Sequence, residues 1–375
     1  MRQGMWGAAA LAVSRLPLGA FGAEDAAGDQ VIPFLDPQPI PPGQVTLHWD
    51  SLKDWITPMD QFYGVQHYGV PKGVPENYKL DIHGLVGKPR TLTLDELKRL
   101  PKREVTVTLE CSGNGAGKNF IGAIGNAKWT GTPLAPLLKD CGIAPEAVEV
   151  AFWGADHKSE KIRGADYEQN FARTLSVQEA RRDDILLAYE MNGQPLTIGH
   201  GAPLRLVIPG WYGIAWVKWL ERIEVRDRRL MTRFMAKDYV TLRGEELADG
   251  KIAWKESSVG PMNLKSMVAK VVRRQDGGVT IMGAAWSGMT PVKAVEVKVD
   301  DGEWLGAKID DLHQEPNTWR FWTIDWKDAK PGEHTLVSRA IDAKANIQPD
   351  ADEPAIKLKK TYWEANQQWP RKIKI

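Results

Sequence analysis

The residues best placed to do chemistry lie in Val105 to Ala123, VTVTLECSGNGAGKNFIGA. β-Branched residues at Val105, Thr106, Val107 and Thr108 predict a strand. Cys111 comes at its end, and the chain then enters a loop carrying Gly113, Gly115, Gly117 and Gly122. A thiol on a rigid strand end, followed by backbone free to approach closely, suits metal ligation or nucleophilic attack. A lone cysteine more often serves as a small buried hydrophobe. Against that, Glu110 precedes the thiol and Ser112-Gly113-Asn114 follow it, so it sits among polar turn formers rather than in an apolar run.

Further along, Gly199-His200-Gly201, Arg205 and Lys218 gather cations and donors around glycine-rich turns, a set that suits a phosphate-bearing ligand. His67, in QFYGVQHYGVP, would alone be a packed loop histidine. Asp156, just past the strand Val148 to Trp153, would alone be a solvated loop residue. Tyr239, in MAKDY, would alone be a surface aromatic. Most of the 16 tryptophans, Trp216 among them, are of the type that packs cores and interfaces.

Together these stretches resemble the sulfite oxidase family of molybdopterin-dependent oxidoreductases, in particular its bacterial, haem-free, sulfite dehydrogenase-like members. TLECSGNG followed by GAIGNAKWTGTPL is similar to the segment that supplies the family's cysteine ligand of molybdenum. LLAYEMNGQPL, GHGAPLRLVIPGWYGIAWVKWL and KDY are similar to later segments, so the resemblance runs from about Pro58 to the C-terminus. It implies a molybdenum–molybdopterin cofactor with Cys111 as the metal ligand and Tyr239 beside the metal as a second catalytic residue. It implies His67, Asp156, His200, Arg205, Trp216 and Lys218 around the pterin. A coordinated thiol is deprotonated and donates strongly to a high-valent metal, whose cofactor carries the oxo-transfer chemistry.

The implied reaction is oxidation of sulfite to sulfate, but the sequence departs from sulfite-oxidising relatives where an oxyanion needs arginines. Where they carry arginine just ahead of the histidine matched to His67, this chain has Val65 and Gln66. Where some carry another soon after Cys-x-Gly-Asn, it has Gly115-Ala116 and then Lys118. A further family arginine falls near Lys359. The implied metal site therefore stands on firmer ground than the substrate, and a sulfoxide- or nitrate reductase-like activity stays open.

The elements that must position these groups read as an α+β chain: a mixed α/β molybdopterin-binding domain followed by an immunoglobulin-like β-sandwich. Residues 1–23 resemble a secretory signal, which would place the protein in the periplasm, or in the cytoplasm if the segment does not function; no twin-arginine pair is present. Residues 24–57 read as an extended proline-rich arm on the surface. The catalytic domain is expected over 58–250 and the sandwich, through which the family forms dimers, over 262–375.

Within the first domain, Leu92 to Leu100 predicts a short helix with Thr93 as N-cap and Glu96 completing a capping box. Pro133 to Cys141, Tyr167 to Leu175 and Val177 to Arg182 also read as helical. Ala215 to Trp219 alternates like a strand, and Gly244 to Lys265 reads as a loop joining the domains. VTIMGAAW, AVEVKVDDGEW, TWRFWTIDW and HTLVSRAID are short strands separated by turn signals.

A formal net charge of +1 over 375 residues offers no nucleic-acid footprint. No run of about 18 apolar residues predicts a membrane span in the body of the chain. The two cysteines, Cys111 and Cys141, admit neither a Cys-x-x-Cys-His haem attachment nor a cysteine cluster. Electrons are thus expected to leave to a separate redox partner, such as a c-type cytochrome. Two other classes compete. One is a thiol enzyme with Cys111 as nucleophile and His67 or His200 as base. The other is a non-catalytic, secreted β-rich binding protein.

Overall fold

The computed structural model describes residues 29–39, 45–117, 120–327 and 329–375, so the signal-like segment and Lys118 lie outside the described residues. The first domain holds two sheets around one apolar core. In one, Arg205–Val207, Leu186–Met191, Ile124–Pro133 and Arg103–Glu110 lie side by side, all antiparallel. In the other, the order is Arg90–Thr93, Lys79–Gly84, Leu220–Arg226, Glu149–Ile162 and Ala165–Ser176. Lys79–Gly84 and Leu220–Arg226 are parallel, and the remaining pairs in this sheet are antiparallel.

Local signals set several of these pieces. Lys79–Gly84 alternates exposed and buried positions at its start, as one covered face requires. Helix Leu94–Arg99 starts at Thr93, whose hydroxyl and Glu96 form the reciprocal capping box. Helix Leu134–Cys141 stops at Gly142, which takes the left-handed conformation at φ 70°.

The second domain is a sandwich. One sheet runs Gln30–Val31, Lys265–Arg273, Val279–Trp286, Arg320–Trp326 and Lys308–Ile309; the other runs Leu305–Gly306, Val292–Val299, Glu333–Asp342 and Arg371–Lys374. Their facing side chains form a core that includes Val271, Ile281, Val297, Trp322 and Leu336. Among the described residues, no helix is long and apolar enough to cross a membrane.

Four local expectations fail. Tyr167 to Leu175 is strand, paired with Glu149–Ile162 in a long hairpin; its inner half, Phe171 to Leu175, is buried at every position, so it lacks the alternation that marks a one-faced strand. Ala215 to Trp219 is a 3₁₀ turn and bend ahead of the strand at Leu220, shaped by bonds that Trp216 makes to Trp211 and Arg205. The junction contains a hairpin, Val240–Glu246 with Ile252–Ser258. The N-terminal arm is not superficial. Leu47, Trp49 and Leu52 are wedged between Ile121 and Ile124 of the first domain and Met267, Trp286 and Trp319 of the second. Trp49 stacks on Trp286 at 5.7 Å, and its indole donates to the Ile121 carbonyl at 2.7 Å.

Candidate active site

Cys111 ends strand Arg103–Glu110 and turns at once. Its amide donates to Ala123 O and its carbonyl accepts from Asn114 N, both at 2.9 Å. The thiol is buried, and that burial pushes it up to about 11, offset only in part by the Gly113 amide. It faces a pocket. Tyr239, His67, Asp156, His200, Arg205, Trp216 and Lys218 line the same pocket, so all eight residues singled out in the sequence converge on one space.

One wall is cationic. Thr197 caps a 3₁₀ turn, Ile198–His200, and its hydroxyl lies 2.8 Å from His200 Nδ1. His200 Nε2 lies 3.3 Å from the Phe62 carbonyl, which makes Nε2 the protonated nitrogen of the neutral ring. The turn closes at Gly201, φ 102°, where a Cβ would press on Lys218 at 3.0 Å. Arg205 follows on its short strand and donates to His200 O at 2.9 Å and Trp216 O at 3.3 Å. Its guanidinium lies over Trp129 at 4.7 Å, and its Nε has no partner. Lys218 donates to Gly199 O at 3.1 Å and lies over the Trp219 ring.

Among the described residues both cations donate only to carbonyls; neither has a carboxylate in contact. Burial lowers both, Arg205 to about 10 and Lys218 to about 7, with Arg205 adding to the effect on Lys218. The nearest balancing group is Asp156. It sits on the irregularity that interrupts the hairpin between Trp153 and His157, and burial raises it to about 6 against the pull of Lys218. Trp216 is fully buried, and its indole already donates to Trp211 O at 3.0 Å, so it supplies a ring wall rather than a free donor.

The other wall is neutral. His67 packs against Phe234 at 4.9 Å and Phe171 at 5.9 Å, which also touch each other, and shares a 2.8 Å hydrogen bond with the Tyr239 hydroxyl. Burial lowers His67 to about 4, so its ring is uncharged at neutral pH. Burial and the nearby Cys111 raise Tyr239 well above its ordinary value. Tyr239 stacks on Trp363 at 4.1 Å. Val65, 37% exposed, and Gln66 complete this side. Lys359 is not among the lining residues; its ammonium donates to the Thr361 and Trp363 carbonyls.

Sequence reasoning missed Tyr63, Phe171 and Trp219 on the lining and Trp129 beneath Arg205. It also missed Arg173, a buried guanidinium that donates to the Phe234 carbonyl and, at 2.5 Å, to Val259 O. Arg173 lies on the stretch misread as helix, which hid its inward direction.

The thiol-enzyme reading fits poorly. A catalytic thiolate requires a lowered thiol and a base in contact. Here the thiol is raised, His67 is bonded to Tyr239, and both His200 nitrogens face other partners. No cluster of three or more His, Cys, Asp or Glu that could hold a metal occurs among the described residues. A metal on Cys111 would then draw its other ligands from a cofactor or solvent. A buried and a half-buried cation without carboxylate partners, Arg205 with an orphaned Nε and Lys218, fit a cofactor bearing phosphate.

Residues 67–234 match the oxidoreductase molybdopterin binding domain, and residues 257–364 match the Mo-co oxidoreductase dimerisation domain. The mitochondrial sulfite oxidase of Drosophila melanogaster is 32% identical over 327 residues, covering 80% of this chain but only 56% of the fly protein. The sulfite oxidase of Arabidopsis thaliana is 32% identical over 336 residues, 80% of this chain and 84% of its own length. The crystal structure of the sulfane dehydrogenase SoxCD from Paracoccus pantotrophus superposes with a TM-score of 0.73 at 27% identity, covering 98% of this chain and 92% of that one. With these relatives and both domain matches, the chain belongs to the sulfite oxidase family of molybdopterin-dependent oxidoreductases.

Proposed function

We propose that the chain is a molybdenum-dependent oxidoreductase acting on a sulfur substrate, with sulfite oxidation to sulfate the first reading. The observation that carries this is the convergence of the Cys111 thiol and the carboxylate-free cations Arg205 and Lys218 on one pocket. When bound, the molybdenum cofactor supplies two-electron oxo transfer. Cys111 would ligate the metal. Arg205, Lys218 and His200 would hold the pterin and its phosphate. Asp156, placed beside Lys218, would accept from the pterin. Trp216 would wall the ring. Tyr239, held by His67, would orient the substrate. Phe171, Phe234 and Trp363 pack against this pair.

A second reading is favoured by the neutral wall. Val65 leaves the mouth without the direct cation that a doubly charged oxyanion calls for, and the SoxCD structure is that of a sulfane dehydrogenase. A less anionic sulfur group would meet less penalty here than sulfate would. In either case electrons pass to an external acceptor such as a c-type cytochrome, and the sandwich supports pairing of two chains. Purification with molybdenum quantification, then a screen of sulfite, sulfane sulfur, sulfoxide and nitrate with an artificial redox partner, tests the assignment. Absence of molybdenum would overturn it, and turnover of a sulfane substrate but not sulfite would select the second reading.

A further inference from the structure

We propose that Lys265, at the start of sandwich strand Lys265–Arg273, is a positioning residue for Cys111, so that the second domain completes the metal site from beneath. This rests on the reading of Cys111 as the molybdenum ligand.

Glu110, the residue before the cysteine, is 0% exposed. Lys265 Nζ lies 2.5 Å from Glu110 Oε1 and donates at 2.8 Å to the carbonyl of Asn114. The same ammonium therefore grips the chain immediately before the thiol and again where the turn ends. Asn114 Nδ2 donates to Glu110 Oε1 at 2.9 Å, and Trp286, also from the sandwich, donates to Oε2 at 2.9 Å. Asn114 Oδ1 accepts from Ala123 N at 3.0 Å, which closes the loop on itself. The C-terminal stretch also meets this turn, at Ser112 O from Glu364 N and at Gly115 O from Gln367 Nε2.

A buried ion pair is a poor source of net stability, because desolvation offsets most of the Coulomb attraction. Its better-attested use is to fix one geometry out of several. Here every oxygen of the Glu110 carboxylate is engaged, so shifting the turn would strand a buried charge. The geometry that is fixed is the direction of the neighbouring thiol.

Lys265→Met keeps the stem of the side chain and removes its donors. The cofactor-loaded variant is examined by its thiolate-to-molybdenum charge-transfer absorption, and the cofactor-free variant by the rate of Cys111 alkylation with iodoacetamide, read by mass spectrometry. The expected result is native circular dichroism and near-normal pterin content, with a shifted, weakened absorption band. Alkylation should run roughly tenfold faster, as a locally loosened turn allows. A folded Lys265→Met protein with the wild-type band and alkylation rate overturns the proposal. Should the single variant not fold, Glu110→Gln with Lys265→Met removes both charges while still releasing the Asn114 carbonyl, and the same two readouts decide. A wild-type protein that holds molybdenum but shows no such band sinks the ligand reading itself, and this proposal with it.

Discussion

On one wall of the pocket, the buried Arg205 and the half-buried Lys218 donate, among the described residues, to carbonyls alone. On the facing wall, Val65, Gln66, His67 and Tyr239 carry no charge at neutral pH. The first wall keeps its charges at a desolvation cost that only an anionic ligand repays. The second wall is apolar or hydrogen-bonded within itself. On the proposed reading, cofactor retention and substrate choice would fall to separate residues, so each could be altered without the other.

The largest expected effect tests the cationic wall. Arg205→Ala removes a charge-assisted contact worth about 1.5–3 kcal/mol, which predicts roughly a ten- to hundredfold weaker hold on molybdopterin. Pterin and molybdenum quantified per chain after gel filtration should both fall. Full occupancy would mean that the cradle holds something else.

The neutral wall is tested by Val65→Arg. If sulfite is the substrate, a guanidinium at the mouth should lower its KM by roughly tenfold, with molybdenum content unchanged. If neither the wild type nor the variant turns over sulfite while metal-replete, the second reading gains and the separation of the two walls still stands. A variant that loses its metal would instead show that the walls are not independent.

A smaller effect concerns pH. Burial holds Lys218 near 7 in the folded chain, whereas an unfolded lysine keeps its proton to about 10.4. Between these values the unfolded state binds more protons, so the cofactor-free protein gains stability as pH rises through this window, by up to about 1.4 kcal/mol per pH unit. The penalty of the buried cation is fully present below pH 7. Lys218→Met should flatten this slope in urea titrations across the window. An unchanged slope would place the lowered group elsewhere.

Both walls were legible in the sequence to different degrees. The cationic one announced itself because Gly199-His200-Gly201, Arg205 and Lys218 combine turn glycines with cations, a pattern that core packing does not explain. Trp129 and Arg173 gave no such signal. Trp129 reads as one apolar residue in a buried strand, and Arg173 lies in a stretch exposed along its outer half and buried along its inner half, so no period-two alternation marks it. The hairpin Val240–Glu246 with Ile252–Ser258 was unreadable for a related reason. Most of its side chains face solvent, so backbone pairing rather than an apolar face defines it. Glu110 was visible only as a polar residue beside the cysteine. Its partners Lys265 and Trp286 come from a domain more than a hundred residues away, joined by tertiary packing that no local pattern encodes.

The central claim is that Cys111 ligates molybdenum at the head of this cradle. Molybdenum-edge X-ray absorption on the wild type and Cys111→Ser, each loaded with cofactor, tests it most directly. The account predicts that the serine variant keeps its fold and pterin, loses turnover to background, and shows one sulfur fewer in the metal's first coordination shell. An identical sulfur count in the two proteins, with activity retained in the variant, would contradict it.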